Sequence, residues 1–214
     1  MSDWPRTVAA ARKVQEKLAS QVITTDQFSA VHYIAGADVG FEEHGEITCA
    51  AVAVLRYPGL QLVEKAIVRC KTRFPYIPGY LSFREAPAVL AAIKQLKQRP
   101  DLLLCDGQGI AHPKRFGLAC HIGLLADIPT IGVAKTRLIG EYAAPGKVKG
   151  SQSPIYDKEE LIGIVVCTRD NVKPLFVSVG HRICLETAVK YVLACTTMYR
   201  LPETTRWAHR LASG

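Results

Sequence analysis

Apolar residues recur at helical spacing near the start of the chain and then in short runs typical of strands. Residues 8–20 carry the helical pattern, which predicts an amphipathic helix. Turn residues at Gly45 and at Pro58-Gly59 separate the strand-like runs, so these are predicted to form an antiparallel meander. The three runs cover residues 31–39, 48–57 and 60–70.

The remainder of the chain alternates helices and strands. A loop rich in proline and glycine at 73–79 leads into a helical stretch, and a polar segment at 140–158 is expected to be a surface excursion. The alternation predicts a mixed α/β architecture, and since no repeat or linker divides the chain we expect one domain over residues 1–214. The predicted helices are 83–97, 116–126, 185–194 and 203–212, and the predicted strands are 101–105, 130–133, 161–168 and 175–179.

Composition narrows the classes of partner. With 214 residues, of which 49% are hydrophobic, the chain can bury one sizeable core. Its formal net charge of +8 favours an acidic partner, either nucleic acid or an anionic membrane surface. No apolar run is long enough to span a bilayer, and the N-terminus lacks the pattern of a signal peptide. The seven scattered cysteines show neither disulfide nor zinc spacing, so we expect reduced core residues and a cytoplasmic protein.

Acidic residues close two apolar runs, at positions where a buried charge must be paired or metal-bound. Asp38 ends the first strand-like run and Asp106 ends the fourth. If these two strands lie side by side, both carboxylates meet at one edge of the sheet, and Glu85 in the first turn of a helix could join them. Such carboxylates would repel one another without a cation, and their oxygens suit Mg²⁺ or Mn²⁺.

Each acid also has a purely structural interpretation. An aspartate before a glycine, as in Asp106-Gly107, is often a turn residue. The stretch from Ser82 to Glu85 fits a capping box, in which the serine caps the helix and the glutamate reaches back to the serine amide. The residues taken alone leave both interpretations open.

Five separated segments together resemble the endonuclease V family. They cover nearly the whole chain, and their order and spacing are far more specific than any one of them. The segments are Ile34-Ala-Gly-Ala-Asp-Val-Gly-Phe41, Pro75-Tyr-Ile-Pro-Gly-Tyr-Leu-Ser-Phe-Arg-Glu85, Asp106-Gly-Gln-Gly-Ile-Ala-His-Pro113, Thr130-Ile-Gly-Val-Ala-Lys-Thr-Arg-Leu138 and Tyr199-Arg-Leu-Pro-Glu-Thr-Thr-Arg206.

The resemblance implies a fold and an activity. The fold would be ribonuclease H-like, an α/β fold with a mixed central sheet flanked by helices. The activity would be that of a DNA-repair endonuclease that recognises deaminated purines, chiefly hypoxanthine. It would hydrolyse the second phosphodiester bond 3′ to the lesion and leave 3′-hydroxyl and 5′-phosphate ends. We expect DNA containing deoxyinosine as the partner, inosine-containing RNA as a second candidate, no membrane association and a monomer.

The resemblance also implies catalytic roles. Asp38, Glu85 and Asp106 match the family's metal-binding acids, with Mg²⁺ as the expected ion and Mn²⁺ as a substitute. Lys135 matches the catalytic lysine, which would balance charge at the scissile phosphate. His209 falls where some members place a histidine beside the metal. By residue type alone, Lys135 and His209 would be ordinary surface residues.

Substrate recognition is assigned by the resemblance to the proline-flanked loop and its surroundings. Tyr76 is predicted to fill the space behind a base that leaves the stack, whereas by composition alone a tyrosine that merely packs is the simpler interpretation. Glycines permit a close approach of the backbone to the flipped base, and His112 is either a pocket residue or an ordinary turn residue. The residues assigned to substrate binding are Tyr76, Ile77, Pro78, Gly79, Leu81, Gly107 and His112.

The chain departs from the family pattern at Gln108, where histidine is common. Glutamine can donate and accept hydrogen bonds but cannot take up a proton, so an acid–base role at this position is open.

Two other functions stay as alternatives: a non-catalytic binder of damaged or single-stranded nucleic acid, and a ribonuclease H-like nuclease for branched nucleic acid. The candidate phosphate-binding residues are Lys114, Arg115, Arg137 and Arg206.

Overall fold

Eight strands form one mixed sheet in the computed structural model, which describes residues 4–214. The strands are β1 (Tyr33–Glu42), β2 (Ile47–Arg56), β3 (Leu62–Lys71), β4 (Leu102–Asp106), β5 (Thr130–Ala134), β6 (Gln152–Asp157), β7 (Glu160–Val166) and β8 (Leu175–His181). Their order across the sheet is β3-β2-β1-β4-β5-β8-β7-β6. The predicted antiparallel meander of the first three strands is confirmed, as is the ribonuclease H-like α/β class.

Five α-helices accompany the sheet within the described part of the chain, and four of them cover its two faces. The helices are α1 (Val8–Ala19), α2 (Leu81–Gln95), α3 (Leu118–Ala126), α4 (Leu185–Ala194) and α5 (Glu203–Ala212). Helices α2 and α3 pack on the face that carries Ala35 and Leu103, and α4 and α5 pack on the face that carries Ile34 and Leu102. Successive strand residues point to opposite faces, so the central strands are apolar on both. Within residues 4–214, every helix falls short of the length and apolarity that crossing a membrane requires.

The parallel pairing of β1 with β4 decides where the acids lie. Ala37 is opposite Cys105 in the register, so the residues that follow them, Asp38 and Asp106, lie side by side. Asp106 ends β4 as expected, but the expectation that Asp38 ends its strand was wrong, because β1 stays paired with β2 as far as Glu42. Strand β5 runs parallel to β4, so Lys135, which follows β5, reaches the same edge. The first and fourth strands thus lie side by side, which is the condition under which the two aspartates were expected to meet.

The prediction of a surface excursion over residues 140–158 was wrong in its second half. Residues Gln152–Asp157 form β6, the last strand at one edge of the sheet. Alternate residues of this strand, such as Ser153 and Ile155, are buried, and those between them face solvent. An edge strand of this kind carries too many polar residues to stand out from a loop in the sequence.

Ser82 joins two helices through a buried histidine instead of capping its own helix. The capping-box alternative for Ser82 and Glu85 does not hold, because α2 begins at Leu81 after Tyr80 and the Ser82 hydroxyl lies 3.1 Å from Nδ1 of His121 in α3. The fully buried His121 ring stacks on Trp4 with 5.2 Å between ring centres. Burial disfavours the charged imidazolium and lowers the pKa of His121 to about 3.

We predict that His121 makes the fold sensitive to acid. Its folded pKa of about 3 lies below the unfolded value of 6.5, so its stabilising effect is complete above pH 6.5 and is lost as the pH falls toward 3. Lowering the pH from about 7 to about 5 should cost about 2 kcal/mol of unfolding free energy from this group. Urea denaturation of His121→Gln should show a correspondingly smaller loss, whereas the exposed control His32→Gln should keep the wild-type dependence. Equal pH dependence in all three proteins would contradict this assignment.

Candidate active site

Side chains from β1, β4 and α5 meet at the carboxyl edge of the sheet. Asp38 Oδ2 lies 2.7 Å from Nδ1 of His209, and Asp38 Oδ1 accepts a hydrogen bond from the Val39 amide at 2.8 Å. The ammonium group of Lys135 donates to Oδ2 of Asp106. Ligand atoms of Asp38, Asp106 and His209 all lie within 4.8 Å of one another, an arrangement that could hold a metal ion.

Close packing of α5 on β1 brings His209 to Asp38. A Cβ atom on Gly36 would lie 2.1 Å from the carbonyl carbon of Thr204, a distance that no side chain tolerates. The absence of a side chain at Gly36 therefore lets the helix backbone rest directly on the strand. His209 lies further along the same helix, where it reaches the carboxylate of Asp38 in β1.

Glu85 approaches the same edge from the opposite face of the sheet, on α2. The residue is only 7% exposed, and its pKa is raised to about 8, first by burial and then by the charges of Asp38 and Asp106. The pKa of Asp38 is also raised, by burial and then by Asp106, although the contact with His209 opposes this shift. Glu85 stands outside the 4.8 Å group of ligand atoms, yet it interacts with both aspartates through its charge.

The charge balance of this cluster fits a divalent cation. Three carboxylates share one edge with the ammonium group of Lys135, and the pKa values of Asp38 and Glu85 are raised because burial and neighbouring negative charges disfavour ionisation. Carboxylate oxygens are the ligands that Mg²⁺ and Mn²⁺ prefer. A cation held here would replace repulsion by attraction and favour the ionised carboxylates. The donor set is therefore compatible with the metal expected from the sequence.

Arg200 holds the segment that carries Lys135. One Nη atom of Arg200 donates to the carbonyl oxygen of Lys135 at 2.9 Å and to that of Pro174 at 2.8 Å. These contacts bridge the end of β5 and the start of β8, and so they restrain the direction in which Lys135 leaves its strand. Arg200 is a site residue that was not predicted, and its only signal in the sequence is its place in the family-like segment 199–206.

A cavity of about 130 Å³ lies on the α2 and α3 side of the acids. Tyr76 at its rim is 70% exposed, so it is not the packed tyrosine of the simpler interpretation. The residues predicted to bind substrate all line the cavity: Tyr76, Ile77, Pro78, Gly79, Leu81, Gly107 and His112. Five further lining residues were not predicted as such: Ser82, Gln108, Gly117, Leu118 and Leu138.

Backbone geometry and a neutral histidine shape one wall of this cavity. Gly79 and Gly107 have φ angles of +81° and +152°, which L side chains rarely adopt. Burial lowers the pKa of His112 to about 4, although a hydrogen bond to the Gly79 backbone opposes the shift. The Lys114 amide donates to Nδ1 of His112 at 3.2 Å. His112 therefore lines the cavity as a neutral, oriented ring at neutral pH.

Two polar residues near the cavity are engaged by the protein itself. Gln108 Nε2 donates to the carbonyl oxygen of Thr136 at 3.0 Å, which tethers the loop after β4 to the loop after β5. Arg115 was a candidate either for a phosphate contact or for a solvated surface charge, but its guanidinium is paired with Asp157 at 2.7 Å and with Glu160 at 2.8 Å. Arg115 therefore supports the fold around the cavity, because its charge is already balanced.

The chain is similar over almost its whole length to proteins of one family. The sequence model described as Endonuclease V matches residues 16–210. The Endonuclease V of Rippkaea orientalis is 54% identical over 209 residues, which cover 98% of this chain and 91% of the relative. Among solved structures, the Endonuclease V of Streptomyces avermitilis has a TM-score of 0.95 at 42% identity and matches 100% of this chain and 94% of its own.

A further solved structure contains a relative together with nucleic acid. The Endonuclease V of Ciona intestinalis, in complex with a 24mer DNA containing an inosine followed by a ribo-adenosine, has a TM-score of 0.85 at 32% identity. The match covers 96% of this chain and 96% of that one. Sequence segments, sheet topology and the extent of these matches all agree, and this chain belongs to the endonuclease V family.

Proposed function

We propose that the chain is a metal-dependent endonuclease that acts on nucleic-acid strands containing hypoxanthine. It hydrolyses the second phosphodiester bond 3′ to the lesion and leaves 3′-hydroxyl and 5′-phosphate ends, as a step in the repair of deaminated DNA. The position of the cavity supports this most directly, because the cavity lies beside a cluster of acids at the same edge of the sheet. A base seated in the cavity brings a phosphate of its own strand close to those acids.

DNA is the proposed substrate, with inosine-containing RNA as the second candidate. The relative from Ciona intestinalis, 32% identical, is described in complex with inosine-containing DNA. The formal net charge of +8 favours a polyanionic partner. The cavity and the acid cluster are both built by this one chain, which supports a single catalytic domain that acts as a monomer. Its seven free cysteines are consistent with action in the cytoplasm.

The acids would hold Mg²⁺, with Mn²⁺ as a substitute, through Asp38, Asp106 and Glu85. When bound, the ion supplies an activated water and positive charge at the phosphate and the leaving oxygen. Residues of the chain prepare the site for this chemistry. His209 orients the carboxylate of Asp38, and Lys135 orients Asp106 and adds positive charge near the scissile phosphate.

Base recognition rests on the cavity and its rim. Tyr76 fills the gap that the extruded base leaves in the stack, and the prolines around it lower the cost of holding the loop in one pose. Backbone groups at Gly79 and Gly107 bond the edge of the base, because no side chain blocks their approach. The neutral ring of His112 completes the wall without placing a charge against an uncharged base.

Asp38→Ala is expected to lower strand nicking by about 100-fold or more, because it removes a ligand from the metal cluster. End-labelled DNA and RNA strands with one inosine, incubated with Mg²⁺ or with EDTA, measure the reaction and its position. The control Asp127→Ala removes an exposed acid before β5, at the other end of the sheet, and should stay active. Tight binding without cleavage in either metal condition would favour the non-catalytic binder instead, and cleavage of RNA alone would favour an inosine-specific ribonuclease.

The raised pKa of Glu85 predicts that metal binding weakens as the pH falls below about 8. A protonated carboxyl is a poor ligand, so the apparent affinity for Mg²⁺ should fall by up to about tenfold per pH unit below this value and level off above it. The Mg²⁺ concentration for half-maximal nicking, measured from about pH 6.5 to 9, tests this. Glu85→Gln should remove most of the dependence, and a wild-type value that does not change with pH would contradict the assignment.

Tyr76→Ala should weaken binding of an inosine-containing strand by about tenfold, which is the order of one lost stacking contact. Tyr76→Phe should bind nearly as wild type, since the ring and not the hydroxyl fills the gap. Both changes are best measured by gel shift in the Asp38→Ala background, where cleavage does not interfere. The exposed control Tyr156→Ala on β6 should have no effect on binding. Equal losses of affinity for Tyr76→Ala and Tyr156→Ala would exclude a role of Tyr76 in filling the gap left by the base.

A further inference from the structure

Tyr199 and Arg206 form a stacked pair on the α5 face of the sheet. The guanidinium carbon of Arg206 lies 3.7 Å from the centre of the Tyr199 ring. Tyr199 is nevertheless 45% exposed, so much of the side chain stays open to solvent. An aromatic ring backed by a guanidinium is a surface on which a nucleobase stacks well.

The pair is held in place by a chain of polar contacts. Arg206 Nε lies 3.3 Å from Oε2 of Glu203, and Oε1 of Glu203 accepts a hydrogen bond from the Thr197 hydroxyl at 2.6 Å. Arg200, which lies between Thr197 and Glu203 in the sequence, donates to the carbonyl oxygen of Lys135 just after β5. The ring of Tyr199 therefore sits on a restrained segment, which lowers the entropy cost of binding a ligand there.

Two links place this pair next to the acids. Arg206 precedes His209 by three residues on α5, so both side chains lie on the same side of the helix, and His209 contacts Asp38. Arg200, the neighbour of Tyr199, bonds to the backbone of Lys135. The cavity, in contrast, is lined by residues of α2 and α3 on the other face. The acids thus lie between the cavity and the stacked pair.

We propose that Tyr199 and Arg206 hold the nucleotide immediately 3′ to the scissile bond, which is the second nucleotide 3′ to the lesion. This inference rests on the proposed function. With the lesion base in the cavity and the scissile phosphate at the acids, the strand continues in the 3′ direction across the sheet edge onto the α5 face. The next base stacks on the Tyr199 ring, and Arg206 supports that ring from behind.

The proposal implies contact without sequence preference. Every base offers an aromatic face, so a stacking surface accepts all four with similar strength. Selectivity for the lesion is then left to the cavity, whereas the stacked pair orients the strand for cleavage. The nucleotide held here carries the 5′-phosphate after cleavage, so the same contact also retains that product end.

A combined change in protein and substrate tests the contact. Wild type, Tyr199→Ala and Tyr199→Phe are compared on three inosine-containing DNA strands: an intact strand, one with an abasic residue directly 3′ to the scissile bond, and one with an abasic residue directly 5′ to inosine. On the intact strand and on the 5′-abasic strand, Tyr199→Ala should lower kcat/KM by about tenfold, and Tyr199→Phe should stay near wild type. On the 3′-abasic strand, wild type and Tyr199→Ala should be equal.

The outcomes separate a stacking contact from a structural role. If Tyr199→Ala loses the same factor on the intact and the 3′-abasic strands, the ring acts through the protein and the proposal is overturned. The more exposed neighbour Met198, changed to alanine, is the matched control and should keep full activity. If wild type cuts no inosine strand, the proposed function fails. The stacked pair is then tested by the dissociation constants of wild type and Tyr199→Ala for the same three strands, measured in EDTA.

Discussion

Repulsion between the carboxylates of Asp38, within β1, and Asp106, at the end of β4, is the constraint on which the rest of the site depends. The parallel register sets Asp38 beside Asp106, and burial keeps water from screening their charges. Two neighbouring elements supply partial compensation: Lys135 follows β5, and His209 projects from α5. Lys135 is held in turn by the guanidinium of Arg200, which donates to its backbone carbonyl oxygen. The site is thus stabilised from strands and helices that are far apart in sequence.

The cavity and the acid cluster lie next to each other and share a helix. Helix α2 carries Leu81 in the cavity wall and Glu85 among the acids, one helical turn apart. The helix therefore fixes the distance between this part of the cavity wall and Glu85. Helix α5 on the opposite face carries His209 and Arg206, so ordered side chains flank the acids on both faces of the sheet.

Three histidines show how burial decides what a single residue type does. His121 is sealed between helices and stays neutral, so it serves the core and renders the fold sensitive to acid. His112 is neutral as well but lines the cavity, where its ring bonds to the backbone of Gly79. His209 is half exposed and contacts a carboxylate. The sequence shows six histidines and no difference among them of this kind.

Local patterns in the sequence determined the helices, the meander and the place of Asp106 at the end of its strand, because each depends on residues close together in the chain. The order of the motifs determined the family. Only the tertiary structure decided that residues 152–157 pair as an edge strand, that Ser82 bonds to His121 instead of capping its helix, and that Arg200 anchors Lys135. These contacts join residues that are distant in the chain. Whether they meet depends on strand order and helix packing, which no local pattern encodes.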